Sequence, residues 1–151
     1  MTASRLALGA AACGVLLLHA GLIAETRKEA IALRPQDIQW FTPAYYTDGR
    51  QRAHLHGDSD EGGDWIDRVR IPGGSQVLPH THPDDEVVTV LEGSWYLGMG
   101  AKFDQAKLRA YPAGSFIYIP AGIPHFLATP DGPVIVQASG HGIFRTNYLE
   151  P

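Results

Sequence analysis

Turn residues interrupt the second half of the chain at short, regular intervals. From Trp65 to Tyr148, glycines and prolines separate apolar or β-branched runs about every 8–12 residues. One such turn, Glu92-Gly93, closes the β-branched run 86–91. The 17 glycines and 11 prolines among 151 residues agree with many short strands. This spacing predicts a single all-β domain, either a sandwich or a barrel.

The predicted strands cover most of the chain beyond residue 64. Residues 65–151 are predicted to form the barrel, and residues 25–64 an N-terminal arm with short strands. The one helical candidate is 101–108, which is short and only weakly periodic. The strands are predicted at 38–41, 52–56, 65–71, 86–91, 94–99, 116–119, 126–128, 134–138 and 143–148.

Composition excludes several classes of protein. Hydrophobic residues make up 44% and charged residues 19%, which argues against a disordered chain and against a coiled coil. The 12 basic residues are scattered among 16 acidic ones, giving a net charge of −4. We therefore expect no nucleic-acid partner.

The first 24 residues have the pattern of an export signal. Arg5 supplies the positive start, 6–18 are apolar, and Ala24 ends a cleavage site. We expect a periplasmic or secreted protein; the alternative is an uncleaved membrane anchor, because 6–24 is close to a membrane-spanning length. Removal of the signal also removes Cys13, the only cysteine. Any metal site of the mature chain must then use His, Glu and Asp.

Two histidines and a glutamate follow one another at even spacing. His80 and His82 are two residues apart, so on a strand both rings lie on one face, with Cα atoms about 6.5–7 Å apart. Glu86 is a further even number of residues along and reaches the same face if 83–85 bend. His125 lies at the start of a later predicted strand. A His-x-His pair alone is more often a partly exposed pair without a metal. In a barrel the four residues could meet at one ion.

These residues resemble the two conserved motifs of the cupin family. The first motif, G-x5-H-x-H-x3,4-E-x6-G, matches Gly74, His80, His82, Glu86 and Gly93 with every spacing kept. The second, G-x5-P-x-G-x2-H-x3-N, matches Gly114, Pro120, Gly122 and His125, with Thr129 in the place of the Asn. Nine of ten fixed positions agree, and 20 residues separate the motifs, as in small single-domain cupins.

The resemblance implies a fold, a metal site and a range of functions. The fold would be the cupin jelly-roll barrel, also called a double-stranded β-helix. His80, His82, Glu86 and His125 would bind one divalent metal, with Mn or Fe favoured over Zn, Ni and Cu. One or two open positions would suit a substrate, water or O₂. No general base is assigned, so the catalytic residues stay unknown.

Three functions follow from that site. The first is a metal-dependent enzyme, an oxygenase or an isomerase, with a dioxygenase acting on a small organic acid or phenolic compound favoured. The second is a small-molecule binding or sensing protein without turnover, and the third is a structural barrel. The 25–64 arm would either pair with a second copy in a homodimer or pack on its own barrel.

Several polar residues near the motifs have no assigned role. His54 and His56 form a second His-x-His pair, predicted as a solvated strand or pocket rim. His141 is predicted at a strand end. Asp84 and Asp85 are predicted on a loop, where either could accept a hydrogen bond from an imidazole N–H.

Overall fold

A computed structural model describes residues 29–149 of the chain. The predicted export signal, residues 1–24, lies outside the described residues. Within 29–149, no helix has both the length and the apolar character needed to span a membrane.

Regular structure in residues 29–149 consists of antiparallel strands and two short 3₁₀ helices, Pro35–Asp37 and Gln105–Lys107. The alternating and β-branched runs of the sequence form strands because their pleated backbone places every second side chain on the buried face. The strands are β1 (Gln51–His56), β2 (Asp64–Ile71), β3 (Gln76–Thr81), β4 (Glu86–Glu92), β5 (Ser94–Met99), β6 (Arg109–Pro112), β7 (Phe116–Ile119), β8 (His125–Ala128), β9 (Val134–His141) and β10 (Asn147–Tyr148).

The strands form two five-stranded sheets. The first has the order β1-β2-β9-β4-β7, and the second has the order β10-β3-β8-β5-β6. Every described strand pair is antiparallel, and many neighbours are distant in sequence, as β2 and β9 are. The two sheets form a jelly-roll, which confirms the all-β prediction.

The core lies between the two sheets. Val88 and Val90 of β4 and Val134 and Val136 of β9 are buried, whereas the residues between them are half-buried. Each fully buried aliphatic side chain of this kind stabilises the fold by roughly 1.5–3 kcal/mol. Trp65 and Trp95 complete the same cluster from β2 and β5.

Some elements differ from the sequence-based prediction. The helix predicted over 101–108 is only the 3₁₀ turn Gln105–Lys107, and the edge strand β6 follows where no strand was predicted. Pro112 ends β6, a position that proline tolerates because an edge strand need not donate a ladder hydrogen bond there. The strand predicted over 143–148 is limited to Asn147–Tyr148.

The segment before β2 packs on its own barrel. β1 pairs with β2 along most of its length, and Phe41 forms a backbone bridge with Arg52. The Arg70 guanidinium lies 4.2 Å from the centre of the Trp40 ring, a cation–π contact. These contacts agree with the arm packed on its own barrel, while the homodimer stays a prediction.

Candidate metal centre

The four residues predicted as metal ligands come together inside the barrel. His80 lies on β3 and His82 directly after it, whereas Glu86 and His125 are the first residues of β4 and β8. The strand register places His80 opposite His125, and a bend over 83–85 brings Glu86 back toward the pair. All four side chains are buried. The two distant stretches therefore meet as the sequence spacing predicts.

The distances between these groups are short. The ring centroid of His80 is 4.2 Å from that of His125 and 5.0 Å from that of His82. One nitrogen from each of the three rings lies within 4.8 Å of the others. The Oε2 atom of Glu86 lies 3.6 Å from His82 Nε2 and 3.9 Å from His125 Nε2.

Backbone carbonyls fix the tautomer of all three histidines. The Nδ1 atoms of His80, His82 and His125 lie 2.6, 2.7 and 3.0 Å from the carbonyl oxygens of Leu78, Arg145 and Ile123. A carbonyl oxygen only accepts a hydrogen bond, so each Nδ1 must carry the proton and donate it. In the neutral ring the lone pair is then on Nε2.

Burial keeps the three rings neutral. Desolvation lowers the pKa of His80 to about 3, with the His125 ring as the next cause, and lowers the pKa of His82 to about 4. The pKa of His125 is lowered for the same reason. Burial also raises the pKa of Glu86 to about 7, although the Arg52 guanidinium opposes this. In the absence of a cation, burial thus disfavours both the protonated imidazoles and the ionised carboxylate.

A divalent cation fits this set of donors. Three imidazole nitrogens lie together with a carboxylate beside two of them, and one divalent cation would be a common partner for all four groups. Imidazole and carboxylate ligands suit Mn, Fe, Co, Ni, Cu and Zn. Four such donors leave open positions on a six-coordinate ion, whereas structural metal sites are usually closed.

Hydrogen bonds tie the two motifs together around the four residues. The Gly122 N–H donates to the carbonyl oxygen of His82 at 2.9 Å. Asp85 accepts from the Ala121 N–H at 2.8 Å and from the Tyr118 hydroxyl at 2.5 Å. The loop that leads into His125 is therefore held by His82 and by Asp85, the residue before Glu86.

Thr129 holds a second junction between the motifs. Its hydroxyl donates to the carbonyl oxygen of Pro72 at 2.6 Å and accepts from the Ser75 N–H at 3.1 Å. The side chain is fully buried. Thr129 thus makes structural hydrogen bonds at the position where the family motif has Asn.

The other histidines lie apart from the centre. His54 Nδ1 lies 2.8 Å from Asp67 Oδ1, and His56 is exposed at the end of β1. His141 is at the end of β9, as predicted, and pairs with Asp64 at 2.7 Å on the surface. The prediction that Asp84 or Asp85 accepts an imidazole N–H was wrong, because backbone carbonyls take all three of those protons.

Sequence reasoning missed a buried polar network beside the centre. Arg52 is 1% exposed and donates to Ser59 Oγ at 2.9 Å, to Asp60 at 3.2 Å and to the Tyr46 hydroxyl at 3.0 Å. Ser59 in turn donates to the buried Asp67 at 2.6 Å. The alternation of β2 could have indicated this network, since it places Asp67 on the same face as Trp65.

Comparison with known proteins agrees with this architecture. A family model described as "Cupin domain" matches residues 67–136, a range that contains all four residues of the centre. The polyketide cyclase RemF from Streptomyces resistomycificus has a similar structure, with a TM-score of 0.67 and 18% sequence identity over 82% of this chain and 87% of that one. No curated protein sequence matches the chain.

Two further solved structures show the same fold. A sugar phosphate isomerase from Silicibacter pomeroyi, described as from a cupin superfamily, has a TM-score of 0.57 and 23% identity over 73% of this chain and 74% of that one. The DMSP lyase DddQ from Ruegeria pomeroyi has a TM-score of 0.54 and 24% identity over 70% of this chain and 56% of that one.

The fold and the buried polar residues define a jelly-roll protein with a His-rich interior. The motif spacing then agrees with the family model, which matches residues 67–136. This part of the chain is a cupin domain.

Proposed function

We propose that His80, His82, Glu86 and His125 bind one divalent metal ion, with Mn or Fe favoured. The observation that carries this proposal is the cluster of three buried imidazoles, whose nitrogens lie within 4.8 Å of one another, with the Glu86 carboxylate within 4 Å of two of them. Each lone pair is fixed by a carbonyl acceptor on the opposite nitrogen of its ring. One divalent cation would be a common partner for these groups.

We propose further that the site is catalytic, and that the protein is a dioxygenase acting on a small organic acid or phenolic compound. When bound, the metal would supply Lewis-acid or redox chemistry at its open positions. The chain's own residues would bind and orient the substrate and exclude water. Phe144 stacks on the His82 ring at 4.3 Å, so it would form an apolar wall beside a bound substrate.

The solved relatives support an enzymatic role only in general terms. The cyclase, the isomerase and the lyase carry out different reactions on the same fold. The barrel therefore accommodates several chemistries, and the residues around the centre decide which one.

A binding or sensing protein without turnover is the second candidate. One observation favours it: Asp67, the other buried carboxylate near the centre, already accepts from Ser59 and His54. It is therefore not free to act as a general base.

Metal content tests the site. Purified protein should contain about one metal ion per chain, and His80→Ala or Glu86→Gln should remove most of it while the barrel stays folded. His141→Ala is the matched control, because this side chain is 78% exposed and lies on the surface. Unchanged metal content in both site variants would contradict the proposal.

Oxygen uptake separates the two functions. The metal-loaded protein is offered a panel of phenols, thiols and diketones, and consumption of O₂ is followed together with binding. Turnover that is lost in His80→Ala supports the dioxygenase. Saturable binding without turnover supports the sensor.

A further inference from the structure

A second pocket adjoins the metal centre and differs from it in chemistry. This mouth pocket has a volume of about 520 Å³ and is lined by Tyr45, Tyr46, Arg50, Arg52, Arg145 and Tyr148, among others. Tyr46, Arg50 and Arg52 also line the barrel interior around the four proposed ligands. A small molecule in the mouth pocket would therefore reach toward the metal centre.

The guanidinium group of Arg52 is already occupied by protein partners. Its two terminal nitrogens donate to Ser59, Asp60 and Tyr46, and Asp67 lies 3.7 Å from its Nε. Arg52 is thus a buried structural cation that holds the wall of the pocket.

Arg50 has donors to spare. Its Nε lies 2.7 Å from Asp48 Oδ2 and is paired with that carboxylate. Its Nη2 donates to the Tyr148 hydroxyl at 3.2 Å, and its Nη1 has no acceptor among residues 29–149. The side chain is 12% exposed and lines both pockets. The end of the Arg50 guanidinium is therefore available to a ligand.

The two tyrosines beside Arg50 also offer protons. The Tyr148 oxygen accepts from Arg50, and the Tyr46 oxygen accepts from Arg52, so each hydroxyl has its own proton left to donate. Within the described part of the chain, neither proton has an acceptor. Arg50 Nη1 and the two hydroxyls thus present donors only, and a matching ligand must present acceptors.

Tyr148 lies close to the metal centre. Its ring centroid is 5.8 Å from that of His80, and the two residues are partners in the β3–β10 register. Tyr148 therefore connects the mouth pocket to the metal centre. The wall between them includes the Phe144 ring, which suits a compact apolar body.

We propose that Arg50 and Tyr148 bind the carboxylate group of the ligand, so that the pocket takes a small organic carboxylate rather than a neutral phenol. This inference rests on the proposed function, because it assigns a substrate class to the same site. A guanidinium end and a phenol hydroxyl match the two oxygens of a carboxylate. A neutral phenol offers one weak acceptor and leaves the remaining donors unpaired.

Titration calorimetry with benzoate and benzamide tests the proposal, since the two probes share a shape and differ in charge. The purified full chain is titrated both with Mn²⁺ bound and after chelation, so that binding by the metal and binding by Arg50 are separated. We expect benzoate to bind at least about tenfold more tightly than benzamide in both states. Equal affinities, or no benzoate binding in either state, would overturn the proposal.

Three variants test which side chains bind the benzoate carboxylate. Arg50→Gln should weaken benzoate binding by about tenfold or more and leave benzamide unchanged. Tyr148→Phe removes only a hydroxyl from a half-exposed edge residue, so it should fold normally and weaken benzoate binding by about threefold. Arg145→Gln removes the same charge from the same pocket and should change affinity by less than about twofold. Equal losses in Arg50→Gln and Arg145→Gln would show only nonspecific attraction, and would overturn the assignment.

Metal content measured in the same samples keeps the two proposals distinguishable. If wild-type protein fails to bind metal but chelated protein binds benzoate through Arg50, only the proposed metal function is wrong. If metal is retained and benzoate binding does not depend on Arg50 or Tyr148, only the carboxylate proposal is wrong.

Discussion

Replacing Glu86 with Gln should have opposite effects on stability with and without metal. In the metal-free fold, burial raises the pKa of Glu86 to about 7 from an ordinary value of 4.5. A shift of that size corresponds to roughly 3 kcal/mol, since each pKa unit is worth about 1.4 kcal/mol. This is the approximate cost of holding the charged carboxylate in the metal-free barrel at pH 8.

The sign of the effect follows from the direction of the shift. A group whose folded-state pKa is raised contributes stability below its unfolded-state pKa and loses it as the pH rises through the folded-state value. Glu86→Gln should therefore stabilise the metal-free protein at pH 8 by up to about 3 kcal/mol and have little effect near pH 5. With metal present, the wild type should be the more stable protein, because the variant loses a ligand.

Urea unfolding at pH 5 and pH 8, with chelator and with Mn²⁺, measures all four cases. Glu92→Gln is the matched control, because Glu92 lies on the same strand and is exposed. If Glu86→Gln destabilises the metal-free protein at pH 8, the carboxylate is a structural hydrogen-bond acceptor, and its proposed role as a metal ligand is wrong.

Four further results are expected. Gly98→Ala should destabilise the fold by about 1–3 kcal/mol in denaturant titrations, because the new Cβ would clash with the Phe126 ring; unchanged stability would contradict the close packing. Asp85→Asn should lower metal affinity by up to about tenfold in chelator competition, because it weakens the bond to the Ala121 N–H that holds the loop before the fourth ligand. The metal-free protein should lose stability as the pH falls from about 6.5 toward 4, because burial lowers the pKa of His80, His82 and His125 and the unfolded chain then binds more protons. The raised pKa of Glu86 acts in the opposite direction, but it is one group against three. A flat profile in urea unfolding would contradict this prediction. Mass spectrometry of protein recovered from the periplasm should show a chain cleaved after Ala24; a full-length chain in the membrane fraction would support the anchor instead.

The fold was predictable because turn spacing and side-chain alternation are local properties. The run 116–119 became strand β7 with the predicted limits, since Ile117 and Ile119 face the core and the intervening Tyr118 faces out. The region 143–148 did not become a full strand. The carbonyl oxygen of Arg145 accepts a hydrogen bond from His82 Nδ1, so part of this segment is paired with a histidine side chain instead of with a neighbouring strand. No local pattern reveals such a contact between residues 63 positions apart.

The meeting of His80, His82, Glu86 and His125 was predictable because the fixed spacing of the two motifs carried the information. Glycines at positive φ, such as Gly93 and Gly122, hold the turns of both motifs, and the histidines keep their place relative to them. The mouth pocket was not predicted, because Arg50 lies just before β1 and Arg52 within it, in a region with a weak sequence signal. An arginine in such a position is normally expected in solvent. Only the fold shows that Ser59, Asp60 and Tyr46 surround Arg52.

The cost of the barrel's polar interior is itself an argument for function. A small jelly-roll needs no buried imidazole, carboxylate or guanidinium to be stable, and apolar residues of similar size would often make it more so. Here three neutral histidines and a carboxyl group with a raised pKa face one another, and the spare donors of Arg50 line the adjoining pocket. One metal ion and one anionic ligand would complete both groups at once, and so the two sites are best explained together.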